Sequence, residues 1–538
     1  MTDNNFGKPS NSKKQNLHPL ILALVLAGGI LLGYMVSINT VEKPSILQKY
    51  NYNKIEDVIK YIDNNYVDSL NVKDLENKAI ENLLSDLDPH SVYIPSSEMQ
   101  AVEEDMQGNF EGIGVEFRIR KDTISIEATI QDGPSEKIGI MAGDKIIYVE
   151  DSLVAGVGVK NSDVVKMLKG PKGTKVKVTM LREGDLIPFY IVRDKIPIYS
   201  VDASYLLNKE TGYIKVNRFA ATTYDEFSSS LKKLKKQEIK NLIIDLRGNP
   251  GGYLQAAVEM IDEILADDKL VVYTEGLHQP RVDYLTDSKG LFEEGKLVVL
   301  VDQFSASASE IMAGAIQDWD RGTIIGRRTF GKGLVQEQHL FPDTSALRLT
   351  VARYYTPSGR SIQKPYDDKD SYYQELGNRY EDGELLGTDS LVETHQDTVV
   401  YYTKVEKRKV YGGGGIAPDV FVPLDTLMTN NYVASFRQYM APFLFDYASK
   451  NKAELDKYNI DNFTGNFQVS NEMLSSFISY AQSNGFERKL SDNTNYKRGI
   501  KVLLKANLAK QLFKNEGFYR VVNSESEAIK KALEEFAN

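Results

Sequence analysis

The chain of 538 residues contains no cysteine, which excludes disulfides, thiolate nucleophiles, thiolate zinc sites and lipid attachment at an N-terminal cysteine. It also has no excess of positive charge, and its net charge of −10 argues against nucleic acid as a partner. Histidine is scarce, and none of the five lies in a local motif with a serine and a carboxylate: His18, His90, His278, His339 and His395. The sequence therefore gives little support for catalysis by a cysteine or by a serine–histidine pair.

One serine-rich segment follows a predicted buried strand. Residues 298–301 (VVLV) form a short apolar, β-branched run, and residues 305–310 (SASASE) lead into apolar residues at helical spacing. A serine therefore lies where a strand passes into a helix. Free N–H groups and the helix dipole at such a junction can stabilise an oxyanion, so the segment suits acyl transfer.

A lysine between two glycines follows the next strand pattern. Residues 323–326 read as a strand, and Gly331, Lys332 and Gly333 come soon after it. Lysine can act as the base for a serine if burial lowers its pKa enough to leave it neutral near pH 7. His339 is the histidine nearest in sequence to Lys332, and an ordinary strand position explains it. His90 is interpreted as a turn residue.

These two segments resemble the catalytic region of the carboxyl-terminal processing (tail-specific) serine proteases. In that family the second serine of SASASE is the nucleophile, a lysine 25 positions later is the general base, and a glutamine four beyond supports the lysine. The resemblance assigns these roles to Ser307, Lys332 and Gln336, which match in type and spacing. It also implies an oxyanion hole made by the N–H groups of Ala308 and Gly252.

The oxyanion glycine lies in a second strand–turn–helix segment. Residues 242–246 form an apolar strand, and residues 247–252 (RGNPGG) form a glycine turn before a helical pattern, which gives another N-terminus suited to an anion. Gly252 is favoured over Gly251. The family usually has asparagine where Gly248 stands, so this turn departs from the family pattern.

Residues 108–195 carry a separate glycine pattern that resembles a PDZ domain. Gly112, Ile113, Gly114 and Val115 precede an alternating strand, and glycines there let successive N–H groups face one anion. In PDZ domains such a loop binds a peptide's terminal carboxylate while the peptide adds to the sheet as a strand. The expected partners are therefore proteins or peptides with accessible C-termini.

The N-terminus contains an uncharged run from Leu20 to Val36, preceded by Lys8, Lys13 and Lys14. Its length is at the lower edge of a membrane-spanning helix, and no clear A-x-A cleavage site follows it. The sequence predicts a single-pass anchor in the cytoplasmic (inner) membrane over a cleaved signal. The lysines would keep residues 1–19 in the cytoplasm and place the catalytic part in the cell envelope outside it.

The predicted fold class is α/β, with a core like those of crotonase and Clp protease, an inserted β-rich PDZ domain, and helical N- and C-terminal segments. Six segments are expected: a tail (1–19), an anchor or signal (20–38), a helical domain (44–107), the PDZ domain (108–195), the protease core (196–425) and a helical extension (426–538). Residues 364–398 are acidic, tyrosine-rich and weakly patterned, and they predict a surface insertion. The extension is read as a platform or dimer surface, or as a solvated interaction helix, so a homo-oligomer stays open.

The predicted function is a serine endopeptidase with a Ser–Lys dyad that needs no metal or cofactor. One alternative is a catalytically inert PDZ scaffold, which would have no need to keep the three catalytic residues in register. Another is a nucleotide hydrolase, because residues 326–332 fit G-x-x-x-x-G-K. Gly333 stands where that loop needs Ser or Thr, and the strand with its acid at Asp245 precedes the loop, so this alternative is disfavoured.

Overall fold

The computed structural model describes residues 18–40, 53–120, 122–130, 132–387, 399–489 and 491–537, and the chain divides into two units, Met1–Lys78 and Ala79–Asn538. The first unit is helical. Helix α1 is His18–Thr40, α2 is Lys54–Asn65, and α3, Val72–Ser85, continues into the second unit. Residues 1–17 of the predicted cytoplasmic tail lie outside the described residues.

The predicted membrane anchor is corrected. No helix in the described residues is long and apolar enough to cross a membrane. The single-pass location and the orientation derived from it are therefore not supported.

The second unit begins with a short strand and a helix, followed by the β-rich domain. These are β1 (Val92–Ile94), α4 (Ser96–Gln107), β2 (Asn109–Gly112), β3 (Val115–Arg120), β4 (Thr123–Thr129), α5 (Pro134–Lys137), β5 (Lys145–Val149), β6 (Ser152–Leu153), α6 (Asn161–Leu168), β7 (Lys175–Arg182), β8 (Asp185–Val192) and β9 (Asp194–Pro197). One sheet has the order β3-β4-β5-β7-β8, and β2 pairs with β9 where the chain enters and leaves the domain. Strand β3 is thus an edge strand, and the domain has its own core around Ile124, Val164 and Met180.

The predicted protease core contains two sheets. Its elements are β10 (Val201–Leu206), β11 (Thr211–Val216), α7 (Thr223–Lys235), β12 (Asn241–Asp245), α8 (Leu254–Asp262), β13 (Leu270–Glu275), β14 (Val282–Leu285), β15 (Lys296–Val301), α9 (Ala308–Asp318), β16 (Thr323–Gly326), β17 (Leu334–Leu340) and β18 (Ala346–Tyr355). Strands β11, β12, β15 and β16 are parallel neighbours, and β10 is antiparallel at the edge. A second sheet has the order β1-β18-β13-β14, with β17 paired to β18.

The central sheet is buried on both faces, which explains its continuous apolar runs. Alternate residues of one strand point to opposite faces. Ile244 and Val299 therefore pack with α7, α8 and α9, whereas Ile243 and Leu300 pack on the other face. That second face is covered by residues of the C-terminal extension, including Ile529.

The remaining elements are helix-rich. They are α10 (Lys369–Glu381), a 3-10 helix (Glu384–Leu386), β19 (Val400–Tyr402), β20 (Lys409–Tyr411), β21 (Val420–Phe421), α11 (Thr426–Thr429), α12 (Asn431–Ala434), α13 (Arg437–Lys450), α14 (Lys452–Leu455), α15 (Ile460–Asn466), α16 (Asn471–Ser483), α17 (Thr494–Glu525) and α18 (Glu527–Ala537). Helices α11 to α17 share a core of their own, and α18 packs on the central sheet. The predicted fold class, with its inserted PDZ-like domain and helical extension, is confirmed, while the platform role stays a prediction.

The position of α18 makes the C-terminus part of the protease core. Ile529 is 3% exposed, whereas its neighbour Lys530 points outward. Ile529→Ala is expected to lower the free energy of unfolding by about 2–4 kcal/mol, because it leaves a cavity against the sheet. Lys530→Ala should change it by less than about 0.5 kcal/mol. Chemical denaturation of both variants measures this, and equal effects would show that α18 does not complete the core.

Candidate active site

Three loops meet at one edge of the central sheet. Strands β12, β15 and β16 are parallel neighbours, with Asp245 opposite Leu300 and Val301 opposite Gly326. The segments that follow them, 246–252, 302–307 and 327–332, therefore leave the sheet at the same carboxyl edge, where ligands of parallel sheets bind. All the proposed protease residues except Gln336 lie in these loops or just after them.

Ser307 occupies a strained turn directly before α9. Its φ is +54° and its ψ is −116°, a conformation that non-glycine residues rarely adopt and that costs on the order of 1–3 kcal/mol. The surrounding contacts hold it there, since the N–H of Ser307 donates to Glu310 Oε2 (2.9 Å) and the N–H of Ala306 donates to the Asn249 carbonyl (3.1 Å). Such a turn presents the hydroxyl outward from the helix start.

The structure separates Ser307 from the other two serines of the motif. Ser305 Oγ donates to the Leu246 carbonyl (2.9 Å) and Ser309 Oγ donates to the Asn249 carbonyl (3.0 Å), and both side chains are fully buried. Ser307 is partly exposed, and its hydroxyl donates no hydrogen bond in the part of the chain that the structure describes. Of the three, Ser307 alone has a hydroxyl proton available for transfer.

Lys332 is mostly buried and contacts Gln336. Its Nζ donates to Gln336 Oε1 (3.1 Å). Burial lowers the pKa of Lys332, and the positive charge of Arg348 lowers it further, against the opposing effect of the carboxylates of Glu310 and Asp88. A buried lysine with a lowered pKa suits a proton acceptor. No hydrogen bond joins the side chains of Ser307 and Lys332 among the described residues, and such bonds are often long in enzymes without substrate.

Gln336 connects the lysine to the turn after α3. Its Nε2 donates to the His90 carbonyl, and the His90 ring nitrogen Nε2 lies 2.7 Å from the Tyr372 hydroxyl. Burial and the charge of Lys332 lower the pKa of His90 to about 4, so the ring is neutral at physiological pH. His90 is a turn residue as predicted. His339 is exposed on β17 and packs edge-on against Phe341.

The same turn is fixed by Asp88. Its carboxylate accepts hydrogen bonds from the N–H groups of His90 (2.7 Å) and Ser91 (2.8 Å) and from the Thr350 hydroxyl on β18 (3.1 Å). These bonds place the His90 carbonyl where Gln336 can reach it. The N-terminal turn is thereby part of the lysine's surroundings.

The N–H groups near Ser307 differ in their hydrogen bonding. The N–H of Gly251 is bound to Asn249 Oδ1 (2.9 Å), whereas the N–H groups of Gly252 and Ala308 have no acceptor among the described residues. Gly251 lies so close that an added Cβ would meet Ser307 Cβ at 2.7 Å. Gly248 has φ +72° with open space around it, a conformation that asparagine also tolerates, so the departure from the family pattern leaves the turn intact.

The loop at the start of the PDZ-like domain leaves two backbone N–H groups without acceptors among the described residues. Gly114 has φ +73°, and the Ile113 carbonyl accepts from both the N–H and the hydroxyl of Ser135 (3.2 and 2.6 Å). Neither Ile113 nor Gly114 has an acceptor for its N–H in the described residues. Gly112 ends β2 and Val115 begins the edge strand β3, so all four predicted residues lie at the entrance to that edge.

Sequence reasoning missed a buried support behind the lysine loop. Arg379 of α10 donates to the carbonyl of Arg328 (2.7 Å), and Lys364 donates to Glu375 (3.1 Å) while its Nζ lies 4.1 Å from the Phe330 ring centroid. The predicted surface insertion therefore packs against residues 328–330, although its residues 388–398 lie outside the described residues. Its weak apolar periodicity gave no signal, because the burial is carried by paired charges.

Glu310 is a second miss. It is fully buried and contacts both the Ser307 turn and the Lys332 loop. The sequence does contain a signal for half of this arrangement, since Ser307 and Glu310 have the S-x-x-E spacing of a helix capping box. The contact between Glu310 and Lys332 joins residues more than 20 positions apart, so no local sequence pattern indicates it.

Comparison with known proteins gives a family match over the same region. The model of peptidase family S41 matches residues 210–370, and a family of unknown function matches residues 431–514. A probable CtpA-like serine protease of Staphylococcus haemolyticus is 33% identical over 372 residues, which cover 67% of this chain and 74% of the relative. The chain belongs to peptidase family S41. A carboxy-terminal-processing protease of Bartonella bacilliformis is 35% identical over 57% of this S41 chain and 71% of its own length.

Two of the solved structures that are similar to this S41 chain are also described as C-terminal proteases or as a part of one. The photosystem II D1 C-terminal processing protease is 25% identical and matches 69% of this chain and 93% of its own, with a TM-score of 0.35. The PDZ domain of a carboxy-terminal protease from Vibrio cholerae, in complex with a peptide, is 36% identical and matches 16% of this chain and 97% of its own, with a TM-score of 0.16. The predicted family is thus confirmed by sequence, and family S41 consists of serine-type peptidases.

Proposed function

We propose that this S41 chain is a serine endopeptidase in which Ser307 is the nucleophile and Lys332 is the general base. The observation that carries the proposal is the pairing of a strained, partly exposed serine with a buried lysine of lowered pKa at one edge of the sheet. Neutral Lys332 would take the proton from Ser307 Oγ as the oxygen attacks the peptide carbonyl, and would then return it to the leaving amine. Water would then attack the resulting acyl-enzyme: Lys332 would take a proton from the water and give it to Ser307 Oγ as the ester bond breaks.

The other proposed residues support these steps. The N–H groups of Gly252 and Ala308 are free to bind the oxyanion that forms in the transition state. Gln336 would orient the Lys332 amine, because its amide is itself held by the His90 carbonyl. None of these steps calls for a metal or cofactor.

The two alternatives fit the structure less well. A phosphate-binding loop needs N–H groups that face the ligand, but the N–H groups of Gly331 and Lys332 both donate to the Glu310 carboxylate (2.7 and 2.8 Å). An inert scaffold would not need the strained turn at Ser307, which lowers stability without a return in packing.

Substrate selection is proposed to use the PDZ-like domain. A C-terminal tail would add as a strand to the open edge of β3, and its carboxylate would accept hydrogen bonds from the loop of Gly112, Ile113, Gly114 and Val115. A more upstream segment of the same substrate would then reach Ser307. The proposed partners are accordingly proteins or peptides with accessible C-termini.

The test compares one peptide with a free or an amidated C-terminus. Amidation removes the charge that the loop would bind, so kcat/KM of the full chain should fall roughly 10- to 100-fold, the usual worth of charged hydrogen bonds. Gly114→Val should cause a similar loss for the free peptide, since a β-branched residue resists φ +73° and an added Cβ meets Ile196 at 3.0 Å.

Gly156→Val is the matched control, because Gly156 has the same φ of +73° but open space around it and lies outside the loop. It should retain the preference for the free C-terminus. If both peptides are cleaved equally by the wild type and by Gly114→Val, the PDZ-like domain does not read substrate tails.

A further inference from the structure

Glu310 receives hydrogen bonds from both parts of the proposed dyad. Its Oε2 accepts from the N–H groups of Ser307 (2.9 Å) and Lys332 (2.8 Å), and its Oε1 accepts from the N–H of Gly331 (2.7 Å) and from the Thr329 hydroxyl (2.6 Å). Thr329 Oγ1 itself accepts from the N–H of Ile416, so its proton is directed at Glu310. All four neighbours are donors, an arrangement that fits an ionised carboxylate and leaves no acceptor for a carboxylic acid proton.

Tyr354 makes the complementary contact from the opposite sheet. Its hydroxyl lies within hydrogen-bond distance of the Ser307 carbonyl (3.2 Å) and of the Lys332 carbonyl, and the side chain is 1% exposed. The same two residues thus share two partners: Glu310 accepts from both N–H groups, and the Tyr354 hydroxyl can donate its single proton to either carbonyl. These contacts join α9, the lysine loop and β18, which are distant in sequence.

The nucleophile and base require such support. Ser307 is held at a positive φ that the chain would leave if its N–H lost its acceptor, and a shift of about 1 Å between reacting groups can reduce a rate roughly 100-fold. The loop around Lys332 is flanked by Gly331 and Gly333, so its own backbone resists displacement little. External contacts must therefore fix the lysine relative to the serine.

We propose that Glu310 and Tyr354 are positioning residues that fix the backbone of Ser307 against that of Lys332. This inference rests on the proposed Ser307–Lys332 dyad. It deepens that function, because it accounts for how two residues on separate loops are kept in register.

The charges around both groups set the expected pH effect. The charged and titratable groups around Lys332 are Glu310 of α9, Asp88 and His90 of the N-terminal turn, and Arg348 of β18. The positive charge of Lys364 also lowers the pKa of His90. Burial and the charge of Glu310 raise the pKa of Tyr354 and of Tyr372 in α10. Burial raises the pKa of Glu310 to about 7, against the opposing effect of its four donors, so its charge acts on Lys332 above that pH. Because the anion favours protonated Lys332, its removal should make the lysine a weaker base that is neutral at lower pH.

The test measures kcat and its pH dependence for the full chain carrying Glu310→Gln or Tyr354→Phe, with a free-tailed peptide as substrate. Glu310→Gln turns one acceptor into a donor, so kcat should fall roughly 10- to 100-fold. The acidic limb of its pH profile should move to lower pH, which a purely structural defect would not cause. Tyr354→Phe removes only a neutral donor, so kcat should fall with the acidic limb unchanged.

Thermal unfolding of each full-length variant checks that the domain containing Glu310 and Tyr354 is folded, and KM for the peptide should change little in both. A wild-type acidic limb in Glu310→Gln, or wild-type kcat in both variants, would overturn the inference. Failure of the dyad itself is distinguished by Ser307→Ala, which would then retain activity whatever Glu310 does. If Glu310→Gln does not fold, Glu310→Asp replaces it, because aspartate keeps the charge on a shorter side chain. Its kcat should be lower than that of the wild type, while the acidic limb of its pH profile should be unchanged.

Discussion

Ser307→Ala is expected to reduce peptide cleavage by the full chain on the order of 10⁴-fold or more, because loss of the nucleophile disables the whole proton-transfer unit. The fold should be retained. Alanine removes only a hydroxyl that donates no hydrogen bond among the described residues, and it keeps the N–H that binds Glu310. Cleavage rates and thermal unfolding of the purified variant measure both effects.

Ser309→Ala is the matched control for this experiment. It removes the same atom two residues away in the same motif, where the hydroxyl is buried and bound to the Asn249 carbonyl. It should cost some stability but reduce cleavage less than about 10-fold, since the residue is two positions removed from the reacting atoms. Equal losses in both variants would show that the motif is structural and that the nucleophile lies elsewhere.

Lys332→Met is expected to abolish cleavage to a similar extent and, in contrast to most inactivating changes, to raise the melting temperature. Methionine has a similar length and bears no charge, so it removes the base and the cost of burying an ammonium group. Lys332→Arg should also be inactive, because arginine stays protonated. Substitution of His339, which is exposed on β17, should reduce cleavage far less.

The sign of the pH dependence follows from the lowered pKa of Lys332. The folded protein binds fewer protons here than the unfolded chain at any pH between the lowered pKa and the ordinary lysine value of about 10.4. This group therefore makes the wild type more stable as pH rises through that window. The gain in melting temperature for Lys332→Met should accordingly be largest at low pH and shrink toward pH 10, and a gain independent of pH would contradict a buried, titrating lysine.

Local patterns predicted much of the fold and of the site. The apolar strand before Ser307, the glycines around Lys332 and the turn at Gly252 each occupy a few consecutive residues, and parallel strands bring their carboxyl ends together. Motif spacing could therefore identify Ser307, Lys332 and Gln336, although it could not place their side chains.

Contacts distant in sequence escaped prediction because they depend on packing. Glu310 reaches Lys332 and Tyr354 reaches Ser307. Ile529 packs with Ile243 and Leu300 of the central sheet, which lie more than 200 residues earlier. The contact of α10 with residues 328–330 gave no signal in the sequence, because it is made by the charged side chain of Arg379 and not by an apolar stripe. The prediction of an N-terminal membrane anchor was wrong for another reason. An uncharged segment whose length is close to the minimum for crossing a bilayer does not establish a membrane-spanning helix.

The absence of cysteine allows a direct test of the central claim, that an amine at position 332 is the base. Lys332→Cys places one cysteine in the whole chain, and alkylation with 2-bromoethylamine then restores an amine at nearly the length of lysine. The unmodified variant should be inactive. The alkylated protein should regain cleavage, with its acidic limb at lower pH because the sulfur withdraws electrons from the amine. Complete modification by mass without any recovery, or full activity before modification, would contradict the Ser307–Lys332 dyad.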